Sequence, residues 1–260
     1  MFYELNKIRV PALARAYRLM AALVGSPWPL GVSELARDLD LSKSTVHGLV
    51  HALIELGFLE RDGQDERKVK PAAAVISLWR EALLKGSLRR AAGPLLAAFS
   101  DRQSLTALAG VFLPGRVLII EAVLAPGISV AAYPGQLVPA WAGALGKLLL
   151  STRPPRRAKA LAGRMAARGP LDEKTYLAEV DQVRVTGVAL DREEYIEGVR
   201  ALAAAVVPAG PLDPLGAVWT VGLAPSLGDA RMEALVPELR SLAEEVGWRM
   251  AEIEAEGRDA

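Results

Sequence analysis

Two histidines lie four residues apart in this 260-residue chain, and His47 and His51 are the only two that it contains. Four residues are close to one turn of an α-helix, so the two imidazoles share one face, and Lys43 lies on that face one turn earlier. Valine and leucine recur on the opposite face, which favours its burial. Cationic and imidazole groups on an exposed helix face can contact phosphates and base edges, so this segment has the chemistry of a nucleic-acid contact.

Two alternatives compete with DNA contact for this polar face. Most polar helix faces are simply solvated, and a His-x-x-x-His pair can bind zinc. A zinc site here would lack a glutamate beside His47, and the chain has no cysteine or third histidine to complete it. The helices and the turn around this face favour DNA over both alternatives.

Three short helical patterns position the polar face. The first covers Ala12–Val24, and the second covers Glu34–Leu39 with Ser33 as its expected N-cap. The third begins at a Ser42 cap and ends near Leu56. Only two residues separate the second helix from the cap of the third. Two helices joined by so tight a turn, with another crossing outside them, are typical of a helix-turn-helix.

A β-hairpin and a linking helix are expected after these helices. Phe58–Arg61 and Arg67–Lys70 are predicted as short strands around a polar turn, and this hairpin would form the wing of a winged helix. Its basic residues lie where a duplex would pass, although acidic residues of the turn dilute them. Pro71 is then expected to start a helix that continues to about Lys85, with a domain boundary near Gly86.

The remainder of the chain alternates strands and helices in a pattern typical of an α+β domain with an antiparallel sheet. The expected strands are 105–112, 116–124, 128–133, 201–207 and 216–223. The expected helices are 89–101, 141–150, 156–167, 172–186 and 230–254. The predicted organisation is a winged helix-turn-helix domain at 1–71, a linker helix at 72–87 and an α+β domain at 88–260.

Composition fits a globular protein and restricts its chemistry. Hydrophobic residues make up 52% of the chain and the net charge is only +1, so DNA affinity must come from local placement of charge. The lack of cysteine excludes disulfides and thiolate catalysis. Met1–Val10 lacks the apolar core of a signal peptide, and no stretch of about 20 residues is apolar enough to span a membrane. These features predict a cytoplasmic protein.

No set of residues predicts an enzyme. Gly143–Lys147 lacks the hydroxyl residue after the lysine that a phosphate-binding loop needs. Asp191, Glu193 and Glu194 could be paired carboxylates for acid–base work, but acidic residues that open a helix, where its dipole favours them, are the commoner explanation. Both histidines lie on the third helix, so none remains for a catalytic triad elsewhere. We therefore expect no catalytic residue, no cofactor and no metal.

Several segments resemble the IclR family of bacterial transcriptional regulators. Val32–Ala36 followed by Leu41–His47 is similar to that family's helix-turn-helix, and Leu56–Glu60 to the start of its wing. In the second half of the chain, the similar segments are Pro139–Lys147, Gly187–Glu194 and Gly198–Val206. The resemblance covers nearly the whole chain. It implies a GAF-like effector domain, homodimers or tetramers, and repression or activation of transcription controlled by a small organic ligand.

Two sites follow from these patterns. The residues expected to contact double-stranded operator DNA lie on the helix-turn-helix and the wing, and are Ser33, Ser42, Lys43, Ser44, Thr45, His47, His51, Arg61, Arg67 and Lys68. By position, the resemblance implies an effector site that includes Ala144, Leu145, Asp191, Ala201, Trp219 and Val221. The implied partners are operator DNA, a small-molecule effector and further copies of the chain.

The chain departs from the family pattern at both sites. Arginine is frequent in the family where Gly48 stands, and histidine where Trp141 stands. Several relatives have Cys or Ser where Ala201, Trp219 and Val221 stand, and those groups would orient a small carboxylate. The pocket implied here is more apolar. We therefore expect an apolar or aromatic acid as effector, or else a pocket filled by Trp219 in an effector-independent regulator or a protein-interaction module.

Overall fold

The computed structural model describes residues 10–24, 26, 28–72, 86–113, 115–127, 130–141, 143–167, 170, 172–207 and 216–256. The chain divides into two compact units, the first formed by residues 1–82 with 113–115 and the second by residues 83–112 with 116–260. The predicted linker helix lies mainly at 73–85, outside the described residues. Within the described ranges, no helix is long and apolar enough to cross a membrane.

The first unit combines a helix-turn-helix with a small antiparallel sheet. Its described helices are α1 (Pro11–Val24), α2 (Val32–Leu39) and α3 (Lys43–Glu55). Its described strands are β1 (Leu30–Gly31), β2 (Leu59–Asp62) and β3 (Asp65–Pro71), in the sheet order β1-β3-β2. The β2–β3 hairpin is the predicted wing, so the winged helix-turn-helix fold is confirmed.

Local hydrogen bonds decide where α2 and α3 begin. The Ser42 hydroxyl accepts from the backbone N–H of Thr45 at 3.1 Å, as predicted for an N-cap. The Ser33 cap was wrong, because α2 already begins at Val32 and Gly31 is its N-cap. Gly31 pairs with Lys68 in the sheet and donates its N–H to Glu34 at 2.8 Å, which fixes the earlier start.

Pro71 does not start a helix, contrary to the sequence prediction. It is the last residue of β3, where it pairs with Leu59 in the antiparallel register. Proline is tolerated at the end of a strand because the ladder there does not depend on its missing N–H. The pairing continues beyond it, since Ala72 donates to the carbonyl of Phe58 at 3.0 Å.

The core of the first unit explains which face of α3 remains exposed. Val46 and Val50 are buried in one cluster with residues from α1, α2 and the wing. The buried aliphatic residues around them include Leu19, Leu23, Leu35, Leu39, Leu59 and Val69. Burial of this apolar stripe anchors α3 by the hydrophobic effect and leaves its polar side outward.

The second unit is built on a six-stranded sheet in the order β6-β5-β4-β9-β8-β7. Its strands are β4 (Thr106–Leu113), β5 (Arg116–Val123), β6 (Leu137–Pro139), β7 (Val188–Arg192), β8 (Val199–Val206) and β9 (Gly216–Leu223). Its described helices are α4 (Ser87–Gln103), α5 (Gly143–Ser151), α6 (Pro155–Ala166), α7 (Glu173–Thr186) and α8 (Asp229–Glu256). This antiparallel sheet with packed helices confirms the predicted α+β class.

Helices cover both faces of this sheet. A Cβ placed on Gly143 of α5 would overlap the side chain of Asp191, so α5 lies on the face to which Asp191 points. A Cβ on Gly247 of α8 would lie 3.8 Å from Cγ1 of Val206. Asp191 pairs with Ala201, and Val206 is five residues further along β8, so the two side chains point to opposite faces. The α5 face therefore contains the predicted effector residues.

Three details of the second unit differ from the sequence prediction. No strand covers the described residues 130–133; instead β6 pairs with β5 further along the chain. Strand β7 was not predicted. The carboxylates at 191–194 do not open a helix, because Asp191 lies within β7 and Glu193 has a left-handed φ of 68° in the loop that follows.

Candidate nucleic-acid interface and ligand site

The polar face of α3 is exposed along its length. His47, Gly48 and His51 are all exposed, directly outside the buried Val46 and Val50. His51 Nδ1 lies 3.4 Å from Glu55 Oε1, a pair made by one helical turn. Among the described residues, no group of three His, Cys, Asp or Glu side chains could hold a metal ion.

The first turn of α3 is ordered by its own hydroxyl groups. The Ser42 Oγ lies 2.9 Å from Ser44 Oγ and 2.8 Å from Thr45 Oγ1, besides accepting from the Thr45 N–H. Ser42 is therefore engaged as a cap, and Thr45 is half-buried. Lys43 is the first residue of the helix, is exposed, and forms no ion pair with any residue that the structure describes.

A groove of about 470 Å³ lies between α2, α3 and the wing. Its lining residues are Gly31, Val32, Ser33, Glu34, His47, Val50, His51, Arg61, Asp65, Arg67 and Lys68. The groove thus brings together Ser33, both histidines and the three basic wing residues among the predicted contacts. The other four predicted residues, Ser42 to Thr45, are at the N-terminal turn of α3 and do not line the groove.

The basic side chains of the wing are held by internal partners. Asp65 lies 3.1 Å from Arg67 and 3.8 Å from Lys68, and Arg61 donates to the carbonyl of Glu66 at 2.6 Å. The hydrogen bond from the Arg67 side chain is the main cause that lowers the pKa of Asp65. The same bond raises the pKa of Arg67. These contacts orient the wing cations and partly neutralise them.

Two acidic residues of the groove were not selected from the sequence. Asp65 joins Arg67 and Lys68 in the wing, and Glu34 accepts the N–H of Gly31 at the start of α2. The acidic residues of the turn were visible in the sequence, but their pairing with particular cations depends on the strand register. The groove is therefore less positive than its arginines and lysine alone would make it.

The predicted effector residues meet on one face of the second sheet. Asp191 pairs with Ala201 across β7 and β8, and Ala201 pairs with Val221 across β8 and β9. Directly paired residues of antiparallel strands point to the same side, so the three form a row. The start of α5 lies over this row, because Gly143 adopts a φ of 39° and leaves no room for a Cβ beside Asp191. Ala144 and Leu145, the next two residues of α5, are both buried.

Trp219 lies on the same face as this row and is packed against the sheet. It is two residues from Val221 in β9, and its side chain is 5% exposed. A Cβ on Gly110 of β4 would lie 2.9 Å from the indole Cη2, so the ring lies over that glycine. The absence of a side chain at Gly110 is what makes room for the ring.

Burial changes the ionisation of Asp191. Burial raises the pKa of Asp191 to about 6, and the N–H of Glu194, which donates to Oδ1 at 2.7 Å, opposes that change. The negative charge of Glu194 adds to the increase, whereas Lys147 and the backbone N–H of Tyr195 act against it. A carboxyl group with so high a pKa can hold a proton close to neutral pH.

A buried ion-pair cluster beside this site was missed by the sequence analysis. Lys147 of α5 is fully buried, and its Nζ lies 2.6 Å from both Glu179 of α7 and Glu194 of the loop after β7. Burial, with the charges of Glu194 and Glu179, raises the pKa of Tyr176 next to them. The sequence signal was a lone lysine within an apolar run, but its partners are 32 and 47 residues away.

An aromatic contact also ties the loop after β7 to the start of α5. The rings of Trp141 and Tyr195 meet edge to face, with centroids 5.7 Å apart and an interplanar angle of 85°. Together with the Lys147–Glu194 ion pair, this contact joins the loop that carries the Asp191 hydrogen-bond donors to the helix that covers the site.

A winged helix-turn-helix followed by a separate antiparallel-sheet unit is an architecture typical of DNA-binding transcriptional regulators. Residues 12–63 match the IclR helix-turn-helix domain. Residues 81–248 match the bacterial transcriptional regulator IclR C-terminal domain. The chain therefore belongs to the IclR family of transcriptional regulators.

Individual relatives agree with this assignment over nearly the full chain. The glycerol operon regulatory protein of Streptomyces coelicolor is 30% identical over 244 residues, which cover 91% of this chain and 95% of that protein. The regulator KdgR of Escherichia coli is 25% identical, with 93% of each chain covered. The crystal structure of Thermotoga maritima IclR matches with a TM-score of 0.58 at 21% identity, covering 93% of this chain and 99% of that one. The relatives are regulators of transcription and not enzymes.

Proposed function

We propose that this regulator binds operator DNA through the N-terminal turn and exposed face of α3 together with the wing. We further propose that a small organic effector, held at the α5 face of the second sheet, changes the affinity for DNA. The regulator would act in the cytoplasm as a homodimer or tetramer. The observation that carries the DNA-binding proposal is the groove beside α3, where histidines and wing cations converge.

The position of Lys43 supports this assignment. A lysine in the first turn of a helix is electrostatically unfavourable, because the helix dipole places positive charge there. Lys43 lies in that turn of α3 and has no ion-pair partner among the described residues. A DNA phosphate at the N-terminus of α3 would be held by Lys43 and by free backbone N–H groups. Such a contact would compensate for the unfavourable position of the lysine.

Salt dependence of DNA binding tests the interface without knowledge of the operator. The probe is a random-sequence duplex of about three helical turns, with binding followed by fluorescence anisotropy over a series of salt concentrations. Lys43→Glu should lower the affinity and reduce the slope of log K against log salt by about 1. Lys159→Glu makes the same charge change at an exposed residue of α6 and is the matched control, with an expected wild-type slope.

The substitution at Lys43 should not unfold the first unit. Glutamate is favoured in the first turn of a helix, so α3 should be at least as stable in the variant. A wild-type slope for Lys43→Glu would contradict the proposed interface. Absence of any salt-dependent affinity in the wild type would favour a module that binds protein through its winged helix.

The chemistry of the effector site is compatible with an apolar or aromatic acid that binds together with a proton. Ala201, Val221 and Trp219 provide apolar surface, and the start of α5 offers backbone N–H groups to a carboxylate. A ligand carboxylate next to Asp191 requires that the pair share a proton, since two carboxylates in contact cannot both ionise. Because its pKa is raised to about 6, Asp191 can supply that proton.

Calorimetric titration of paired ligands tests this effector class. An aromatic acid, its primary amide and a polyol are compared at pH 6 and pH 8, the polyol being included because a relative regulates a glycerol operon. The acid should bind best at pH 6 and lose up to about tenfold in affinity per pH unit above it, since one proton is taken up. Preference for the polyol or the amide at both pH values would contradict the proposal that the effector is an acid.

The alternative is a regulator without an effector, and the packing of Trp219 favours it. The ring is nearly fully buried over Gly110, on the face where a ligand would lie. In this case none of the ligands should bind the wild type, and Trp219→Ala should create a cavity that binds the apolar acid. If the wild-type protein binds the acid, the alternative in which Trp219 fills the pocket is wrong.

A further inference from the structure

Gly48 is unusual within α3 because the helix gains nothing from it. It lies in the interior of a regular 13-residue helix and does not adopt a positive φ. The conformation at this position therefore does not require the wide range of φ and ψ that glycine allows, and glycine weakens a helix interior relative to alanine. A residue that costs stability and is exposed needs an explanation from outside the helix.

Internal packing does not supply that explanation. A Cβ placed on Gly48 would meet nothing within 4 Å. Among the other helical glycines, Gly93 precedes Pro94, whose ring disfavours a helical conformation for a preceding residue that carries a Cβ. A Cβ on Gly146 would lie 2.7 Å from the carbonyl oxygen of Trp141, and a Cβ on Gly163 would lie 2.8 Å from Glu173 Oε2. Those two glycines are required by the fold, whereas Gly48 is not.

The location of Gly48 indicates what approaches it. Its neighbours on the exposed face are Ser44 one turn before, His47 beside it and His51 on the next turn. Both histidines line the groove next to the wing. Gly48 therefore forms a bare patch, consisting only of backbone, in the centre of the surface assigned to DNA.

We propose that Gly48 is a specificity-determining residue, whose bare Cα lets α3 approach closely enough to contact the C5 methyl group of a thymine. This proposal rests on the DNA-binding role of α3 proposed above. A Cα–H surface offers only a weak hydrogen bond to a base edge, so an apolar group gains most from touching it. In the major groove of unmodified DNA that group is the thymine methyl. The flanking histidines can then contact the neighbouring base edges or phosphates.

The first test compares Gly48→Ala with wild type on a site selected from random duplexes. The added methyl should raise the melting temperature by a few degrees, because alanine favours the helix. It should also lower the affinity for the selected site by about tenfold, because the added methyl would overlap the thymine methyl at so close an approach. Gly93→Ala in α4 is the matched control, since a Cβ there also meets nothing within 4 Å; it should leave DNA affinity unchanged.

The second test removes the methyl group from the DNA. Thymines of the selected site are replaced one at a time by uracil, which differs only by that methyl. One such change in each half-site should weaken wild-type binding by about fourfold, the equivalent of one buried methyl. The same change should have no effect on Gly48→Ala, which has already lost the contact. Thus the two changes should be coupled in a double-mutant cycle.

The outcomes separate this proposal from the interface on which it rests. If Gly48→Ala binds the selected site as tightly as wild type while Lys43→Glu does not, the thymine contact is wrong and the interface stands. If no uracil substitution couples to Gly48→Ala, the proposal is likewise overturned. If Lys43→Glu also binds as wild type, α3 is not the DNA-contacting helix and both proposals fail.

Discussion

At the scale of single residues, the charge at both sites is set by neighbours as much as by the residue itself. Asp65 holds Arg67 and Lys68 within the wing, and Glu194 and Lys147 act in opposite directions on Asp191. A substitution at either acid changes the behaviour of its partners.

Asp65→Asn should strengthen binding to duplex DNA. The variant removes the negative charge that partly neutralises Arg67 and Lys68, so both become more available to phosphates. Affinity for a random duplex at low salt should rise several-fold and the salt slope should steepen by up to about 1. Anisotropy titrations measure both, with Asp181→Asn as the control, since Asp181 is an exposed residue of α7 that also pairs with an arginine, Arg184. Unchanged binding would show that the wing cations do not contact the phosphate backbone of the DNA.

Asp191→Asn should change how stability depends on pH. The folded pKa of Asp191 is about 6 against an ordinary value of 3.8, so between these values the folded protein retains a proton that the unfolded chain has lost. The stability that the folded protein gains by keeping Asp191 protonated is therefore fully present below about pH 4, and it is lost as the pH rises through 6. The loss amounts to about 3 kcal/mol, and the variant, which cannot ionise at this position, does not undergo it.

Denaturant unfolding of both proteins from pH 4 to 8 measures this difference. The asparagine variant keeps an oxygen that can accept from the Glu194 N–H, so its fold should persist. Its stability should increase relative to wild type as the pH rises from 4 to 6 and then remain higher. Parallel stability curves across this range would contradict the raised pKa.

At the scale of elements, the start of α5 is tightly constrained by the sheet beneath it. Gly143 combines a φ of 39° with direct contact to the Asp191 side chain. A larger residue there would be strained and would also push α5 away from β7. The sheet and the helix thus depend on each other at this glycine.

Gly143→Ala should destabilise the second unit by about 3 kcal/mol or more, the sum of backbone strain and overlap with Asp191. Gly127→Ala is the matched control, because Gly127 also has a positive φ, of 83°, but a Cβ there meets nothing within 4 Å. That control should lose only about 1–2 kcal/mol. Thermal unfolding of both variants measures the contrast, and equal losses would mean that contact with Asp191 contributes nothing.

The sequence predicted elements whose positions depend on local interactions. The Ser42 cap and the apolar stripe of α3 are local, and both were confirmed. Ser33 failed as a cap because Gly31 is fixed by pairing with a distant strand. Strand β7 is only five residues long and ends in charged residues, so its pattern is too short to recognise.

The candidate sites likewise contain some features that local sequence spacing sets and others that only the tertiary fold sets. The exposed face of α3 could be found from helical spacing, whereas the partners of Lys147 come from separate elements that only the tertiary fold brings together. Similarly, the row from Asp191 to Val221 came from family resemblance and depends on strand register. A single sequence carries no direct record of such register.

At the scale of the whole molecule, the proposed dimer makes a prediction about DNA geometry. Two copies of α3 would occupy successive major grooves about 34 Å apart, on a near-palindromic site. Inserting about half a helical turn between the half-sites should place them on opposite sides of the duplex and reduce affinity to that of one half-site. Mobility-shift titration measures this. Affinity that does not change with the spacing would contradict simultaneous contact by two copies.

Selection of bound duplexes from a random pool tests the central claim most directly, because it asks whether the face of α3 reads sequence. Wild-type protein and Lys43→Glu are carried through the same rounds, followed by mobility-shift titration of the enriched duplexes. We expect the wild type to enrich a near-palindromic site that it binds with strong preference over unselected DNA, and Lys43→Glu to lose that binding. Only weak association without sequence preference in the wild type, or equal binding by the variant, would contradict the assignment of α3 as the recognition helix.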